Sequence, residues 1–424
     1  MKEYKVKAIK PKSDLISVDV PASKSILNRA LLLAAIAKRT VYLRCGSLSE
    51  DTKTFLDCLT VLGIKTEQKN DGILIYGCGG SFPNKNAAIN VNSAGTAARF
   101  LTVALAFAGG DYMIDSSEQM KKRPMEILEL LENDGVNITY LGEKGRFPFR
   151  LQSDGIRADV LTIDTDHSTQ YASGIMLAAS MRNKPLELRL TGKRINGSYL
   201  QITKSMLQAF HVPYQNLNDR IIIFPAENPP TQYAVEPDVS GACYFYALSL
   251  LLGARVRVNG VHMNGMQGDL KFLKVLANKG VILTDTDEGV IADGSTVKHY
   301  SGFDEDLRDF SDQTMTVAAL APFATSRSIL RGIGHIRLQE CDRIAVTVQN
   351  LKSLGVTADT DGENIFISPS AIKGGAVDPH NDHRMAMAFS LVGLKTGNIV
   401  ISDPDCCKKT FENFFDILTE ITKY

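Results

Sequence analysis

The chain has 424 residues, 44% of them hydrophobic, which is enough for two or three domains with full cores. Lys and Arg number 47 and Asp and Glu 47, so the chain lacks the broad basic footprint of a general nucleic-acid binder and leaves room only for a local cationic pocket. No apolar run approaches the ~18 residues that span a bilayer, and the opening MKEYKVKAIK has no signal-peptide core. Seven scattered cysteines without a CxxC pair read as reduced thiols, so a cytoplasmic protein with no membrane partner is expected.

In chain order, an apolar helix opens six times on a small or polar residue. The openings are Lys24 (PASKSILNRALLLAAIA), Gly95 (SAGTAARFLTVALAFA), Ser168 (HSTQYASGIMLAAS), Ser240 (SGACYFYALSLLLG), Asp312 (DQTMTVAALAPFA) and Asp382 (NDHRMAMAFSLVGL). They fall 71, 73, 72, 72 and 70 residues apart, and a fixed period of this kind marks one supersecondary unit copied along the chain. After each helix comes a short strand such as Thr40–Gly46, Asp111–Ser117, Ala254–Gly260 or Asn398–Pro404. An amphipathic helix follows, stopped by a C-cap glycine at Gly63, Gly135, Gly280 and Gly355. Five hairpin signals then appear, in KTEQKNDGILIYG, NITYLGEKGRFPFRLQ, PYQNLNDRIIIF, ILTDTDEGVIA and TADTDGENIFIS. The sixth copy has none, and the N-terminal YKVKAI is expected to complete its sheet.

The reading is an α/β (α+β) protein of six βαβαββ-type repeats. The Pro-rich stretch Ala226–Asp238 separates three repeats from three, and a second crossing is expected near Val18–Pro21. The domains are therefore 1–18 with 237–424, and 19–236, with a substrate cleft between them. If the helix N-termini of a domain face one place, their unpaired N–H groups and positive dipole ends favour anions there.

Lys24 stands at a helix start, where the dipole disfavours a cation, and Arg29, Arg99 and Arg384 each sit in the first turns of an otherwise apolar helix. Each alone is compatible with a snorkelling surface cation, but recurrence at equivalent places favours an anion site. His167, Ser168, Thr169 and Gln170 supply short donors suited to phosphate, although alone they make an ordinary helix cap. Asp312, Glu340 and Asp342 place carboxylates beside Arg343, the usual setting for acid–base work, with one of Glu340 and Asp342 expected to be only a cap or an ion-pair partner. His380 and His383 lie three apart with nothing nearby to complete a metal set, so no metal site is expected, and with neither a Walker loop nor GxGxxG, GxSxG or HExxH present a nucleotide or triad reading has no support.

PASKSILNRA, SAGTAARF, MKKRP, HSTQ, GDLKF, QECDRI, NDHRMAMAFS and DPDCCKKTF, in this order and across the whole chain, resemble the 5-enolpyruvylshikimate-3-phosphate synthase family. The resemblance implies two domains of pseudo-threefold repeats closing on small-molecule substrates, with no cofactor; a monomer is expected. It implies transfer of the enolpyruvyl group of phosphoenolpyruvate to shikimate 3-phosphate. It assigns shikimate 3-phosphate to Lys24, Ser25, Arg29, Ser168, Thr169, Gln170, Asn196, Asp312, His335 and Gln339. Phosphoenolpyruvate falls to Lys24, Gly95, Gln119, Gln170, Arg343, Arg384 and Lys409. Asp312, Glu340 and Lys24 are the implied catalytic residues, with Asp312 taking the 5-hydroxyl proton and Glu340 protonating the methylene carbon.

The chain departs from the family pattern at Gln119 and Gln339, where cations are usual, and at Ser93, Phe100, Asn196 and His335. Lys121, Lys122 or Lys408 is expected to make up the missing charge. An altered acceptor or an inactive ligand-binding relative are the competing readings. A related transferase using a loop cysteine as acid is disfavoured, because DYMIDSSEQMKKRP contains none.

Overall fold

The computed structural model describes residues 2–10, 14–166 and 168–421. It divides into two compact units, Met1–Pro21 with Glu236–Tyr424 and Ala22–Val235, so the chain crosses at 21/22 and 235/236 where 18/19 and 236/237 were expected. His167, read from the sequence as part of a helix opening, lies outside the described residues.

In the unit Ala22–Val235, three core helices, Lys24–Ile36, Gly95–Ala108 and Thr169–Ala179, contact one another. Each is apolar nearly all round, as a helix enclosed by others must be. Three four-stranded sheets accompany them. In each, the strand after the core helix pairs parallel with a leading strand and antiparallel with a hairpin: Thr40–Arg44 with Gln232–Ala234 and Gly72–Tyr76, Gly110–Asp115 with Asn86–Asn90 and Phe149–Ser153, Leu186–Thr191 with Val160–Asp164 and Arg220–Ile223. Period-two alternation sets the buried face; in Thr40–Arg44 only Val41 and Leu43 are buried. The amphipathic helix Glu50–Val61 stops at Gly63, whose φ of 86° is left-handed and natural only for glycine. In the third repeat His211 takes that role at φ 55°, which is why no glycine signal marked the end of Ser198–Ala209.

The other unit repeats the plan around Val239–Leu252, Thr314–Leu320 and His383–Thr396, which also contact one another. Two of its sheets have four strands and the last has three, where Glu3–Val6 pairs antiparallel with Ile399–Ser402 in place of a hairpin. At Gly393 an added Cβ would lie 2.5 Å from Val6 Cβ, so glycine alone lets the helix His383–Thr396 lie this close to the N-terminal strand. The fifth core helix is preceded by a 3-10 turn, Ser311–Gln313, and begins at Thr314 rather than at Asp312.

The leading strands are exchanged. Leu15–Val18 precedes the first repeat in the chain but pairs in parallel with Arg255–Val258 of the fourth. Gln232–Ala234 precedes the fourth repeat but pairs with Thr40–Arg44 of the first. Each unit thereby closes its own sheets, and the exchange accounts for both crossings.

Candidate active site

In the unit Ala22–Val235 the core-helix openings meet. Asn28 Nδ2 donates to Thr96 Oγ1 at 2.6 Å, tying the first helix to the second, and Ser168 caps the third by accepting from Gln170 N at 3.2 Å. Neither Ser23 nor Ala94 caps its helix with a side chain, so the first two helices keep free N–H groups at this end. Lys24 Nζ lies 2.9 Å from Asp51 Oδ2, with the lysine side chain 21% exposed and the aspartate 6%. Asp51 offsets the unfavourable dipole under Lys24 and leaves its ammonium within reach of a ligand.

Arg29 is fully enclosed. Its Nε donates to Thr203 Oγ1 at 2.8 Å, Nη1 to the Ser25 carbonyl at 2.7 Å, and Nη2 to Ser173 Oγ and the Tyr199 carbonyl, both at 3.3 Å, over the Phe100 ring. Every hydrogen-bond partner is neutral, and burial pushes its pKa down to about 10. An anion nearby would relieve a charge that the protein leaves unneutralised.

Gly95 opens a small space with a positive rim. An added Cβ would lie 3.4 Å from Arg99 Nη1, 3.8 Å from Arg123 Nη1 and 3.9 Å from Gln170 Oε1. Here glycine serves proximity rather than backbone freedom, since its φ is not in the positive range. Tyr171 holds the rim: its hydroxyl donates to the Pro124 carbonyl at 3.0 Å and its ring lies under the Arg99 guanidinium at 5.6 Å. Asn196 is exposed in the turn before Ser198–Ala209, and neighbouring Gly197 approaches Thr169.

In the other unit one arginine organises the carboxylates. Arg343 Nε bonds Asp382 Oδ2 at 2.7 Å, Nη1 bonds Asp312 Oδ1 at 3.0 Å, and Nη2 bonds Glu340 Oε2 at 2.8 Å, with Gln339 Oε1 also accepting from Nη1. Burial alone would weaken the guanidinium's charge, but Asp382, Glu340 and Asp312 outweigh it and hold its pKa above the ordinary arginine range. Asp312 also accepts from Arg384 Nη2 at 2.9 Å, and Glu340 from Lys409 Nζ at 3.2 Å. Arg384 and Lys409 expose 11% and 16% of their side chains against 2% for Arg343, so they are the cations open to a ligand while Arg343 sets the carboxylates. Asp342 caps Arg343–Ser353 and pairs with Arg337 at 3.0 Å, which leaves Glu340 as the carboxylate facing the cations. His335 Nε2 is 2.8 Å from Ser311 Oγ, next to Asp312.

A family model described as EPSP synthase (3-phosphoshikimate 1-carboxyvinyltransferase) matches residues 10–418. The chain belongs to the EPSP synthase family. It is 34% identical over 404 residues to the 3-phosphoshikimate 1-carboxyvinyltransferase of Trichormus variabilis, covering 94% of each chain. It is 34% identical over 417 residues to the enzyme of that name from Neisseria meningitidis, covering 96% of each. Its fold matches EPSP synthase from Acinetobacter baumannii with a TM-score of 0.82 over 99% of this chain and 98% of that one, at 24% identity.

Set against the family motifs, the expected residues fall into two groups, one per unit. Lys24, Ser25, Arg29, Gly95, Gln119, Ser168, Thr169, Gln170 and Asn196 belong to one; Asp312, His335, Gln339, Glu340, Arg343, Arg384 and Lys409 belong to the other. Lys121 is engaged by Glu118 at 2.8 Å and Asp115 at 3.6 Å, Lys408 by Asp405 at 3.0 Å, and Lys122 is exposed. Two cations lie beside Gly95, Arg99 and Arg123, the second one residue beyond Lys122. Nothing in MKKRP distinguishes the three cations, and the approach of Arg123 to Gly95 is not local in sequence. Gln339 turns its amide oxygen to Arg343 Nη1. Asp51 and Asp382 were missed because an acid in the first turn of a helix, or just before it, ordinarily reads as a cap.

Cys341 lies against Asp382, and burial together with that carboxylate pushes its thiol pKa well up, so it is a poor acid at neutral pH. Among the described residues no three His, Cys, Asp or Glu side chains are grouped as metal ligands, and no helix is long and apolar enough to cross a membrane.

Proposed function

We infer that the protein transfers the enolpyruvyl group of phosphoenolpyruvate to the 5-hydroxyl of shikimate 3-phosphate, releasing phosphate, in the synthesis of chorismate and aromatic amino acids. The observation that carries the division of roles is Asp312, whose two oxygens bridge Arg343 and Arg384. A carboxylate so fixed is positioned as a base beside a cation that attracts the anionic reactant.

In the proposed mechanism, shikimate 3-phosphate is held by Lys24, Ser25, Arg29, Ser168, Thr169, Gln170 and Asn196, with His335 and Gln339 on the acceptor side. Phosphoenolpyruvate is held by Lys24, Gly95, Gln119, Gln170, Arg343, Arg384 and Lys409, with Arg123 added beside Gly95. Two polyanions side by side repel strongly, and fixed cations with helix N-termini offset that repulsion. Asp312 takes the 5-hydroxyl proton as the oxygen bonds to C2 of phosphoenolpyruvate. Glu340 delivers a proton to C3, turning the methylene into a methyl, with Lys24 assisting. As phosphoenolpyruvate engages Lys409, Glu340 loses a cation and its proton affinity rises, which suits an acid. The C2–O bond to phosphate then breaks, Asp312 returns its proton to the leaving phosphate, and Glu340 takes one back from C3.

A phosphate-release assay tests the reading. Wild-type protein with both substrates is expected to release phosphate continuously, and either substrate alone to release none. Binding of phosphoenolpyruvate without release would identify an inactive relative, and release only with a different acceptor would identify a changed substrate.

A further inference from the structure

The cation-bearing face of the unit Met1–Pro21 with Glu236–Tyr424 holds more carboxylates than cations. Asp238, Asp269, Asp312, Glu340 and Asp382 stand around Arg343, Arg384 and Lys409. An anion docking there raises the proton affinity of every carboxylate nearby, most of all that of a buried one whose hydrogen-bond partner is neutral. Four of the five have evident partners. Asp382 and Asp312 hold Arg343, Glu340 holds Arg343 and Lys409, and Asp238 caps the helix Val239–Leu252 by accepting from Gly241 N.

Asp269 differs. It is buried in the 3-10 turn Gly268–Leu270, and its Oδ2 accepts from Ser240 Oγ in the first turn of Val239–Leu252. The same helix sends the Cys243 thiol to the Asp269 carbonyl oxygen at 3.6 Å. Ser240 in turn offers its carbonyl to Gln313 Nε2 at 3.4 Å, the residue after Asp312. The charged groups facing Asp269 are Asp312 from the turn before the fifth core helix, Arg384 from the sixth, and Asp238 at the start of the fourth.

We propose that Asp269 is a positioning residue for this face: through Ser240 it fixes the helix start beside Asp312 and Arg384, and it takes up a proton when phosphoenolpyruvate docks on Arg384 and Lys409. The proposal rests on the functional reading above. Burial, followed by the nearby Asp312 carboxylate, already raises the Asp269 pKa to about 6 without ligand, so a further rise brings it into the neutral range.

The test compares wild type with Asp269→Asn, which mimics the protonated acid and can still accept from Ser240. KM for phosphoenolpyruvate at saturating shikimate 3-phosphate is measured from pH 5.5 to 8.5. Wild-type KM is expected to rise about three- to tenfold between pH 6 and pH 8, the Asn variant's KM to rise much less, and its kcat to be retained. The ligand's own phosphate titration is common to both proteins and cancels in their ratio. A constant ratio across the range overturns the proposal. If the Asn variant fails to fold, Ser240→Ala serves: removing the donor disfavours the carboxylate, so the wild-type inflection moves to higher pH, and no movement overturns the proposal.

Thermal unfolding of the ligand-free protein separates this idea from the functional reading. A carboxyl whose folded pKa is raised contributes stability that is complete below its unfolded pKa near 4 and lost as pH rises through about 6. The midpoint of Asp269→Asn should therefore gain on wild type as pH rises past 6. Wild type that turns over nothing yet shows this gap overturns the functional reading while supporting the Asp269 titration. Turnover with neither the gap nor the KM difference overturns the Asp269 proposal alone.

Discussion

Asp312→Asn is expected to lower kcat by about 10²–10⁴-fold with KM for phosphoenolpyruvate unchanged or lower. The amide keeps the shape of the carboxylate, and its oxygen can still accept from Arg343 Nη1. It cannot take a proton, so the base is lost. It also removes a negative charge that competes with the ligand for Arg384, which sits 2.9 Å from Asp312. Steady-state kinetics for both substrates, with a thermal melt to establish folding, provide the check. A variant with normal kcat and a raised KM would mean that Asp312 only helps to bind.

Arg343→Met has the largest expected effect on stability. The guanidinium is buried among Asp312, Glu340 and Asp382, and without it those carboxylates remain in a low-dielectric setting with their shared cation gone. Breaking a buried pair from one side costs about 3–5 kcal/mol, which for a unit of this size lowers the unfolding midpoint by roughly 10 °C. Activity should vanish as well, since Asp312 and Glu340 lose the group that orients them. Arg343→Lys should not rescue, because one ammonium cannot replace a planar fork that reaches three carboxylates. The exposed pair Arg331–Asp304, at 2.7 Å, serves as the contrast: Arg331→Met should leave the midpoint unchanged within error, because solvent screens both partners. Differential scanning calorimetry of the three variants decides between a shared anchor and an ordinary ion pair.

Much of this architecture is written in local sequence. Six apolar helices at a fixed period, five hairpins and four C-cap glycines each carry their own signal, and the structure has them at or within a residue or two of the expected positions. The expected bounds put Leu15–Val18 with the later unit and Gln232–Ala234 with the earlier one, but their pairing partners were not legible, because a short strand says which face it buries and not which parallel partner it joins. Cations inside apolar helices were conspicuous because a buried charge needs a reason, and Arg29 supplies one in its set of neutral partners. Their counterparts were not. Asp51, Asp269 and Asp382 sit where acids commonly cap or precede helices, so their chemistry becomes visible only when a distant residue such as Lys24, Ser240 or Arg343 is brought beside them. Arg123 stood in a run of three cations, and its place beside Gly95 shows only once the chain is folded.

The account's central claim is that Asp312 and Glu340 carry an enolpyruvyl group from phosphoenolpyruvate to shikimate 3-phosphate by addition across the double bond and then elimination. Mass analysis of the product formed in deuterium oxide tests it most directly. Addition makes the methylene carbon a methyl group that has received a solvent-derived proton, and elimination removes one of three hydrogens. The wild-type product should therefore carry deuterium on its methylene carbon, and Glu340→Gln should form almost no product. A product of the right mass without deuterium there, or no product from the two substrates together, would contradict the account.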